Sequence, residues 1–412
     1  MIATTIPSEA RIIADNIRDI APELGHKILS SIISLFLLGK ESLCQGVREM
    51  SFCPSVSTLS RSMRKISSTR LVRRMRSAVL KKMKGTDPKD WIFAIDDTSN
   101  PKYSKGLYRS DYWGSSAGVY MGQKIIVLVV INIKTKKCYP VGYGILPKRF
   151  SKHAPTAHWH AVRIVGEVLA AGFPPLTLVA DSWFDSVSLM KRMEALDVKM
   201  VVQIKSNRRV RSNPGAYVPW LTLPEVFADI KRFRSRTNWE SAKVRARKKR
   251  GMCLAEQVIQ IRDRSAPVKV VAAYHRRNGN RVYGYFVSSD RTMPRAKVWA
   301  ISRARWSIEC FFRTCKQNLA FGKLSLGGKK AAHLAVVIPL FLYAKLTELC
   351  PKTLTLDRFI ARIANESARK AIFNLTSQID QRAAQVLRNR LATNRTHRKP
   401  CDKPAGDFQM TG

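Results

Sequence analysis

The sequence predicts an α/β protein: a mixed five-stranded sheet with flanking helices, interrupted by a β-rich insertion and accompanied by helical regions at both ends. The first observation is the order of apolar strand-like runs and helical segments between about residues 91 and 204, which is strand, strand, strand, helix, strand, helix, strand. The second is a stretch from about 205 to 290 in which alternating strand-like runs lie among many Arg and Lys residues. A chain of 412 residues with 45% hydrophobic composition is long enough to bury a sizeable core.

The charge of the chain indicates the class of its partner. The sequence has 73 Lys and Arg against 29 Asp and Glu, a formal net charge of +44. An excess of this size favours a polyanionic partner, with a ribosome-like or membrane-adherent basic protein as the alternative. The longest apolar run, Leu334 to Ala344, is about half of a membrane span, so we expect a buried helix there. The eight cysteines form no C-x-x-C pair and the start of the chain lacks a signal-peptide pattern, so we expect a soluble intracellular protein with free thiols.

The first region, residues 1–87, is predicted to be helical. Apolar residues recur with helical spacing from Pro22 to Gly39, and these two residues suit the beginning and the end of a helix. A Ser/Thr-rich segment from residue 54 then leads into a short basic helix that ends near Gly85. This pattern fits a helix-turn-helix and equally any small basic helical bundle. Together with the charge, it predicts a DNA-binding domain.

The second region, residues 88–204, supplies the predicted sheet. Three strand-like runs are followed by a helix from Ala154 to Gly172 and by an apolar run that ends at Asp181. A second helix and a fifth strand complete the region. Three consecutive hairpin-type strands followed by α/β crossovers are the layout of a ribonuclease H-like core.

Composition gives the remaining boundaries. Residues 205–291 are the predicted β-rich basic insertion. Residues 292–350 return to the core, with one long helix from Pro294 to about Phe321 and an apolar helix near 330–350. Residues 351–412 are predicted to be a C-terminal helical region, with a helix near 355–371, followed by a basic tail.

Several carboxylates lie at positions where the sequence predicts burial, which is unusual for a charged side chain. Asp96, Asp97 and Asp181 lie at the ends of two apolar strands, although acids are disfavoured in strands and costly to bury without a partner or a metal. On strands placed side by side, these side chains would supply the oxygen ligands that a hard divalent cation prefers.

The long helix supplies a third acid. Glu309 falls within about 40° of Arg305 and Lys316 around the helix axis, at the edge of its apolar stripe. For this helix taken alone, an ordinary solvated salt-bridge stripe is the simpler interpretation. Three carboxylates together would suit phosphodiester exchange, in which two Mg²⁺ ions about 3.5–4 Å apart activate the attacking oxygen and stabilise the leaving one.

Three segments resemble the acidic motifs of bacterial cut-and-paste insertion-sequence DDE transposases. They are IDDT at 95–98, LVADSWFDS at 178–186 and RWSIECFFRTCKQNL at 305–319. The branch in question, similar to transposase family four, has the third motif Tyr-x2-Arg-x3-Glu-x6-Lys. The resemblance covers about residues 90–345 and departs at Ser302, which stands where the motif has Tyr. That departure bears on how the transposon end is held.

The resemblance implies the roles of the acids. Asp97, Asp181 and Glu309 would be catalytic and would hold two Mg²⁺ ions, with Mn²⁺ able to substitute. Asp97 is preferred because the family pattern is an Asp followed by Thr, and its neighbour Asp96 is the alternative.

The resemblance also implies a partner and a reaction. Arg305, Lys316, Trp306 and Arg313 would bind DNA, and Tyr283 and Tyr285 are either base-stacking or core residues. The reaction would be cleavage at transposon ends and strand transfer into target DNA. It would be carried out by a homodimer or higher assembly on double-stranded DNA, in the bacterial cytoplasm at the nucleoid and without a membrane partner. The alternatives are a catalytically inactive DNA-binding descendant and a structure-specific nuclease on the same fold.

Overall fold

The computed structural model describes the greater part of the chain. The described residues are 5–40, 42–102, 107–115, 118–147, 155–212, 219–228, 252–264, 266–275, 281–324 and 327–369, with positions 377, 381, 385 and 386. Much of the predicted basic insertion and nearly all of the predicted tail lie outside these residues. The five predicted domain boundaries therefore stay predictions.

The helices fall into an N-terminal group and a group that packs on a sheet. Their bounds are α1 Ser8–Asp15, α2 His26–Leu37, α3 Leu43–Glu49, α4 Val56–Met63, α5 Ser68–Met83, α6 Ala157–Ala170, α7 Val187–Glu194, α8 Leu223–Val226, α9 Arg295–Ala304, α10 Trp306–Asn318 and α11 Lys329–Leu349. Residues 356–369 are also helical. Short 3-10 turns are formed by Arg18–Ile20, Pro88–Asp90 and Ser182–Phe184.

The strands pair into one large mixed sheet. Their bounds are β1 Trp91–Pro101, β2 Asp111–Ser115, β3 Gly118–Asn132, β4 Cys138–Ile145, β5 Leu178–Ala180, β6 Met200–Ile204, β7 Val210–Arg211, β8 Met252–Ile261, β9 Val268–His275 and β10 Arg281–Ser288. The pairing order is β2-β3-β1-β5-β6-β10-β9-β8-β7, and β4 also pairs with β3. β1 is antiparallel to β3 and parallel to β5, which in turn is parallel to β6.

The N-terminal region is helical, as predicted. Its helices begin where the sequence offers side-chain caps: Ser42, Ser55 and Ser67 each accept a hydrogen bond from a backbone N–H in the first turn of α3, α4 and α5. The predicted helix from Pro22 to Gly39 is shorter than expected, because α2 starts at His26. Gly39 has a φ of +65°, the left-handed conformation that commonly ends a helix.

β1 lies in the middle of the molecule and divides the core into two layers. Phe93 and Ile95 point to one face, where they join a cluster with α6 and α7. Ile92 and Ala94 point to the other face, where they join a cluster with α9, α10 and α11. Successive side chains of a strand alternate between faces, so the two buried faces explain why β1 is an unbroken apolar run up to residue 95.

The prediction that the sheet has five strands is wrong. Among the residues that the structure describes, the sheet has ten strands, because β10 pairs antiparallel with β6 and continues into β9, β8 and β7. A sheet that ended at β6 would leave a row of unpaired backbone groups. Strands from the region predicted as an insertion occupy that edge and extend the same sheet.

The predicted single long helix is also wrong, since it is interrupted at Arg305. α9 ends at Ala304 and α10 begins at Trp306. At the junction the Ile308 N–H donates to the carbonyl of Arg305, three residues back, at 2.9 Å, the spacing of a tightened turn. The apolar stripe continues across this junction, which is why the amphipathic pattern suggested one helix.

α11 is a buried helix, as predicted for its apolar run. Within the described residues it is the one helix that is long and apolar enough by length and composition to cross a membrane, and 72% of that window is buried inside the protein. It packs against α5, α2 and β4.

Hydrogen bonds from Lys102 to the loop after α10 form a clasp between that loop and the end of β1. Lys102 is 5% exposed, and its Nζ donates to the carbonyls of Gly322 at 2.5 Å and of Leu324 at 3.1 Å. Burial lowers the pKa of Lys102 to about 8. Gly322 has a φ of +79°, and a Cβ there would overlap the side-chain amide of Asn100. The clasp therefore fixes the C-terminal end of α10 relative to β1.

Gly322→Ala is expected to destabilise the fold by about 1–3 kcal/mol, because Ala is disfavoured at positive φ and would displace Asn100. The matched control is Gly166→Ala inside α6, where an added Cβ meets nothing within 4 Å. Ala has the higher helix propensity, so the control should be neutral or stabilising by up to about 1 kcal/mol. Urea unfolding of both variants measures the difference, and equal effects would contradict the clasp.

Candidate active site

Asp96 and Asp97 are neighbours on β1 and therefore point to opposite faces of the sheet. Asp96 shares the face of Ile92 and Ala94, on which α10 packs. Asp97 shares the face of Phe93 and Ile95. The two carboxylates that the sequence could not distinguish thus have different surroundings.

The register between β1 and β5 places Asp96 level with Asp181. Phe93 pairs with Leu178 and Ala94 pairs with Val179, so the same register two residues further sets Asp96 beside Asp181. Asp181 follows β5 directly, and its Oδ1 accepts the backbone N–H of Trp183 at 3.0 Å. This contact fixes the carboxylate at the start of the 3-10 turn that follows.

Arg305 connects Asp96 to the third acid. Its Nη1 lies 3.4 Å from Asp96 Oδ2 and its Nη2 lies 2.6 Å from Glu309 Oε1. The side chains of Asp96 and Arg305 are 14% and 21% exposed, so this chain of charges is largely withdrawn from solvent. Arg305 stands at the junction of α9 and α10, one helical turn before Glu309.

The surroundings of Asp96 favour its protonated form. Burial first and the negative charge of Asp181 second raise the pKa of Asp96 to about 7, while Arg305 acts in the opposite direction. A like charge close to a buried carboxylate disfavours ionisation of that carboxylate. Bringing Asp96 and Asp181 together therefore has an electrostatic cost that a cation between them would relieve.

Asp97 is paired with a lysine on the other face. Lys124 Nζ lies 2.9 Å from Asp97 Oδ2, and the two side chains are 14% and 18% exposed. Burial raises the pKa of Asp97 and Lys124 opposes the rise, while the negative charge of Asp181 adds to it as it does for Asp96. The same Nζ lies 4.2 Å from the centroid of the Trp183 ring, within the range of a cation–π contact.

The structure separates the residues predicted to bind DNA. Arg305 is in the acid cluster, and the charge of Lys316 acts on Asp97. Trp306 keeps 60% of its surface exposed, and Arg313 is exposed and donates to Cys310 Sγ at 3.2 Å.

The other predicted positions also differ in exposure. Tyr283 is 72% exposed and stays a candidate for base stacking, whereas Tyr285 is 5% exposed and belongs to the core. The hydroxyl of Ser302 makes a hydrogen bond within its own helix, because it donates to the carbonyl of Trp299 at 2.8 Å.

Sequence reasoning missed Lys124 and Trp183. The signal for Lys124 was a cation at the start of a long apolar strand, where a buried ammonium group requires a partner. The signal for Trp183 was a large aromatic residue two positions after an acid that ends a strand.

The donor set fits a hard divalent cation. Asp96, Asp181 and Glu309 offer only carboxylate oxygens, which Mg²⁺ and Mn²⁺ prefer. Arg305 bridges two of these acids and supplies the positive charge there. Among the described residues no three His, Cys, Asp or Glu side chains are grouped closely enough to hold a metal ion as they stand. Glu309 would have to release Arg305 in order to join the other two acids.

Asp96→Asn is expected to stabilise the protein at pH 8 by up to about 4 kcal/mol in the presence of a chelator. The folded wild type binds the Asp96 proton more tightly than the unfolded chain does, so its stability falls as pH rises from about 4 to about 7. The Asn variant removes this loss, and its advantage should vanish at pH 4. Urea unfolding across this range is the measurement. An advantage of equal size at pH 4 and pH 8 would contradict the raised pKa of Asp96 and the burial that causes it.

Comparison with known proteins identifies the family. The family model described as "Transposase DDE domain" matches residues 87–344, more than half of the chain. A comparison with curated proteins found no match. One solved structure that matches is the cryo-EM structure of a piggyBac transposase synaptic complex with hairpin DNA, at 14% identity and a TM-score of 0.38. The alignment covers 76% of this chain and 59% of that one. By the match over residues 87–344, the chain belongs to the transposase DDE domain family.

Proposed function

We propose that this chain is a DNA transposase that cleaves transposon ends and transfers the strands into target DNA by a metal-dependent, cut-and-paste reaction. The observation that carries the proposal is the register of β1 and β5, which sets Asp96 level with Asp181 on the face where Arg305 holds Glu309. Three acids on two strands and one helix are the donor set that the reaction requires. The match to the transposase DDE domain supports the reaction class.

Asp96, rather than Asp97, is proposed as the first metal ligand. Asp96 lies on the face of α10 and is paired there with Arg305, which also holds Glu309. Asp97 is neutralised by Lys124 at 2.9 Å on the opposite face. The motif alone favours Asp97, but it does not indicate which of the two adjacent acids faces the helix.

Different residues of the chain would have different roles in catalysis. When bound, the divalent ions would activate the attacking water or 3′-hydroxyl and stabilise the leaving oxygen. Asp96, Asp181 and Glu309 would hold the ions. Arg305, displaced from the acids, would then be available to neutralise a phosphate next to the scissile one. Lys316 on α10, whose pKa burial lowers, would add a second cation near the acids.

The strand order supports a ribonuclease H-like core. The central strands run β4-β3-β1-β5-β6, with three antiparallel strands followed by two parallel ones. α6 connects β4 to β5 and α7 connects β5 to β6, as in the predicted layout. In this proposal the strands β7 to β10 are an addition at the β6 edge.

The surface of α5 supports DNA as the partner. Its buried stripe is apolar, and three of its cations are paired with acids: Arg74 with Asp19, Arg76 with Glu167 and Lys82 with Glu348. The exposed stripe carries four further cations that have no ion-pair partner among the described residues: Arg70, Arg73, Lys81 and Lys84. These extend over about 21 Å of helix, a length suited to the phosphate backbone of a duplex.

The proposal extends to assembly and location. Joining two transposon ends requires at least two active sites, so we expect a homodimer or higher assembly on DNA. We place the protein with the bacterial nucleoid, as an insertion-sequence transposase would be.

Asp181→Asn is expected to reduce Mg²⁺-dependent cleavage of a duplex carrying the element's terminal repeats by more than about 100-fold, because loss of a metal ligand exceeds the cost of losing an outer-shell group. DNA binding, measured over a range of salt concentrations, should be retained. The control is Asp197→Asn in an exposed turn with a φ of +57°, a conformation that Asn tolerates. The control should cleave as the wild type does.

Full cleavage by Asp181→Asn would refute the metal mechanism. A wild-type protein that binds the repeats but cleaves nothing with Mg²⁺ or Mn²⁺ would identify an inactive DNA-binding descendant. Cleavage of branched DNA without strand transfer would identify a structure-specific nuclease.

A further inference from the structure

The edge of β4 that faces away from β3 is lined by arginine side chains. Arg76 Nε donates to the carbonyl of Val141 at 2.8 Å, and Arg109 Nη1 donates to the carbonyl of Ile145. Backbone carbonyls at the edge of a sheet need donors, and here two guanidinium groups supply them. A second guanidinium nitrogen of each arginine can therefore serve another acceptor at this edge.

One carboxylate serves two of the cations near this edge. Glu167 on α6 is paired with Arg163 on the same helix and, at 3.2 Å, with Arg76. Arg109 and the exposed Lys329 at the start of α11 have no ion-pair partner among the described residues. Four cations with one acid leave an excess of positive charge, which favours an anionic ligand.

His333 on α11 lies among these cations. Its Nδ1 is 2.9 Å from the Tyr143 hydroxyl, and the rings of Tyr108 and Tyr143 flank it at centroid distances of 5.7 and 5.6 Å. Burial lowers the pKa of His333 to about 4, and three of the cations act in the same direction: Arg109, Lys329 and Arg163. The ring is therefore neutral at pH 7. When Nδ1 accepts from the tyrosine hydroxyl, the single ring proton is on Nε2, which has no partner among the described residues.

The backbone of Arg109 has a conformation that its residue type disfavours. Its φ is +55°, in the left-handed region that is uncommon for any residue other than glycine. The guanidinium carbon lies 5.2 Å from the centroid of the Tyr108 ring, which is one of the two rings against His333. Backbone strain of this kind is concentrated at binding sites, where the position of a side chain compensates for it.

The register of the sheet sets this edge level with the acids. Tyr143 pairs with Val127, and Val127 pairs with Asp96. Residues directly opposite each other share a face, so Tyr143 lies on the face of Asp96, two strands and about 10 Å away. One strand of DNA rises about 3.4 Å per nucleotide, so a strand held at the acids reaches this edge about three nucleotides further on.

The same edge continues into α5 and its exposed cations. Burial raises the pKa of Tyr143, and Ser68 in the first turn of α5 opposes the rise. Near the other end of α5, Lys82 Nζ lies 5.7 Å from the centroid of the Tyr139 ring. α5 therefore runs along β4, and DNA that extends from the acids to α5 crosses the edge of β4.

We propose that Arg109, Lys329 and His333, with Tyr143 as a positioning residue, form a site that binds one backbone phosphate of DNA about three nucleotides from the scissile phosphate. The inference rests on the proposed function, because DNA held by the acids supplies this phosphate. The guanidinium of Arg109 and the Nε2–H of His333 donate to the phosphate oxygens, and Lys329 adds charge. A phosphate contact carries no sequence information, so the site sets the position of the strand relative to the acids.

Neutralising one phosphate at a time tests the site. The probe is a duplex with the element's terminal repeat, in which an uncharged methylphosphonate replaces a single phosphate and is moved along the cleaved strand. Cleavage of the unmodified duplex by the wild type with Mg²⁺ locates the scissile phosphate. The full-length protein is then titrated with each probe in chelator, at several salt concentrations.

Two variants and a matched control complete the experiment. Arg109→Gln removes the strained arginine, and Lys329→Gln removes an exposed cation that makes no hydrogen bond among the described residues. The control is Lys136→Gln in the turn between β3 and β4. Its φ is +58°, so it removes a cation from the same backbone conformation at the opposite end of β4.

A methylphosphonate about three nucleotides from the scissile phosphate should weaken binding by the wild type about 10-fold, because it removes the acceptor of charged hydrogen bonds. Arg109→Gln should bind the unmodified duplex about 10-fold more weakly, with a salt slope smaller by about 1, and should lose nothing further at that position. Lys329→Gln should show a smaller loss at the same position than the wild type does. Lys136→Gln should match the wild type on every probe.

If Arg109→Gln and Lys329→Gln lose as much as the wild type at every position, no phosphate is bound at this edge, and the proposed transposase stands. If Arg109→Gln does not fold, Lys329→Gln alone decides between these results. Losses by the variants that are spread evenly over all positions would also overturn the site, because they would show a general effect of charge. A wild type that does not bind the duplex would overturn the proposed function and the site with it.

Discussion

The burial of Asp96 near the like charge of Asp181 is the constraint around which the site is built. It follows from the parallel register of two short apolar strands, which brings both acids to the same level on the same face. Burial and mutual repulsion make this arrangement costly unless a cation compensates it. In this structure Arg305 does so, and the position of Arg305 in turn ties Glu309 to the pair.

Supporting contacts at both ends of α10 keep that geometry in place. At the beginning, the junction at Arg305 separates α10 from α9. Beyond its end, Lys102 holds the following loop through the carbonyls of Gly322 and Leu324. Because Lys102 directly follows β1, the strand that carries Asp96 also anchors the helix that carries Glu309.

Because successive side chains of β1 point to opposite faces of the sheet, the two adjacent acids Asp96 and Asp97 have different surroundings. On one face Asp96 has acids and an arginine as neighbours, an environment that suits a divalent cation. On the other face Asp97 has Lys124, which covers the ring of Trp183. A single step along the strand thus separates an acid that faces Arg305 from an acid that is paired with Lys124.

The sequence predicted the order of elements in the core because each buried strand is a separate apolar run. It did not predict ten strands, since the pairing of β6 with β10 joins segments about 80 residues apart and no local pattern records it. The junction at Arg305 was hidden by an apolar stripe that continues through it. The choice between Asp96 and Asp97 depends on the register with β5, which short strands do not encode, and the predicted roles of Trp306 and Arg313 stay predictions.

The most direct test of the central claim is the binding of Mn²⁺ to the full chain, followed by calorimetry or by electron paramagnetic resonance of the free ion. The wild type and Asp97→Asn should bind Mn²⁺ with similar affinity, whereas Asp96→Asn should lose at least about 10-fold. If Asp97→Asn loses the ion and Asp96→Asn keeps it, the site does not lie on the face of α10 and the account is wrong.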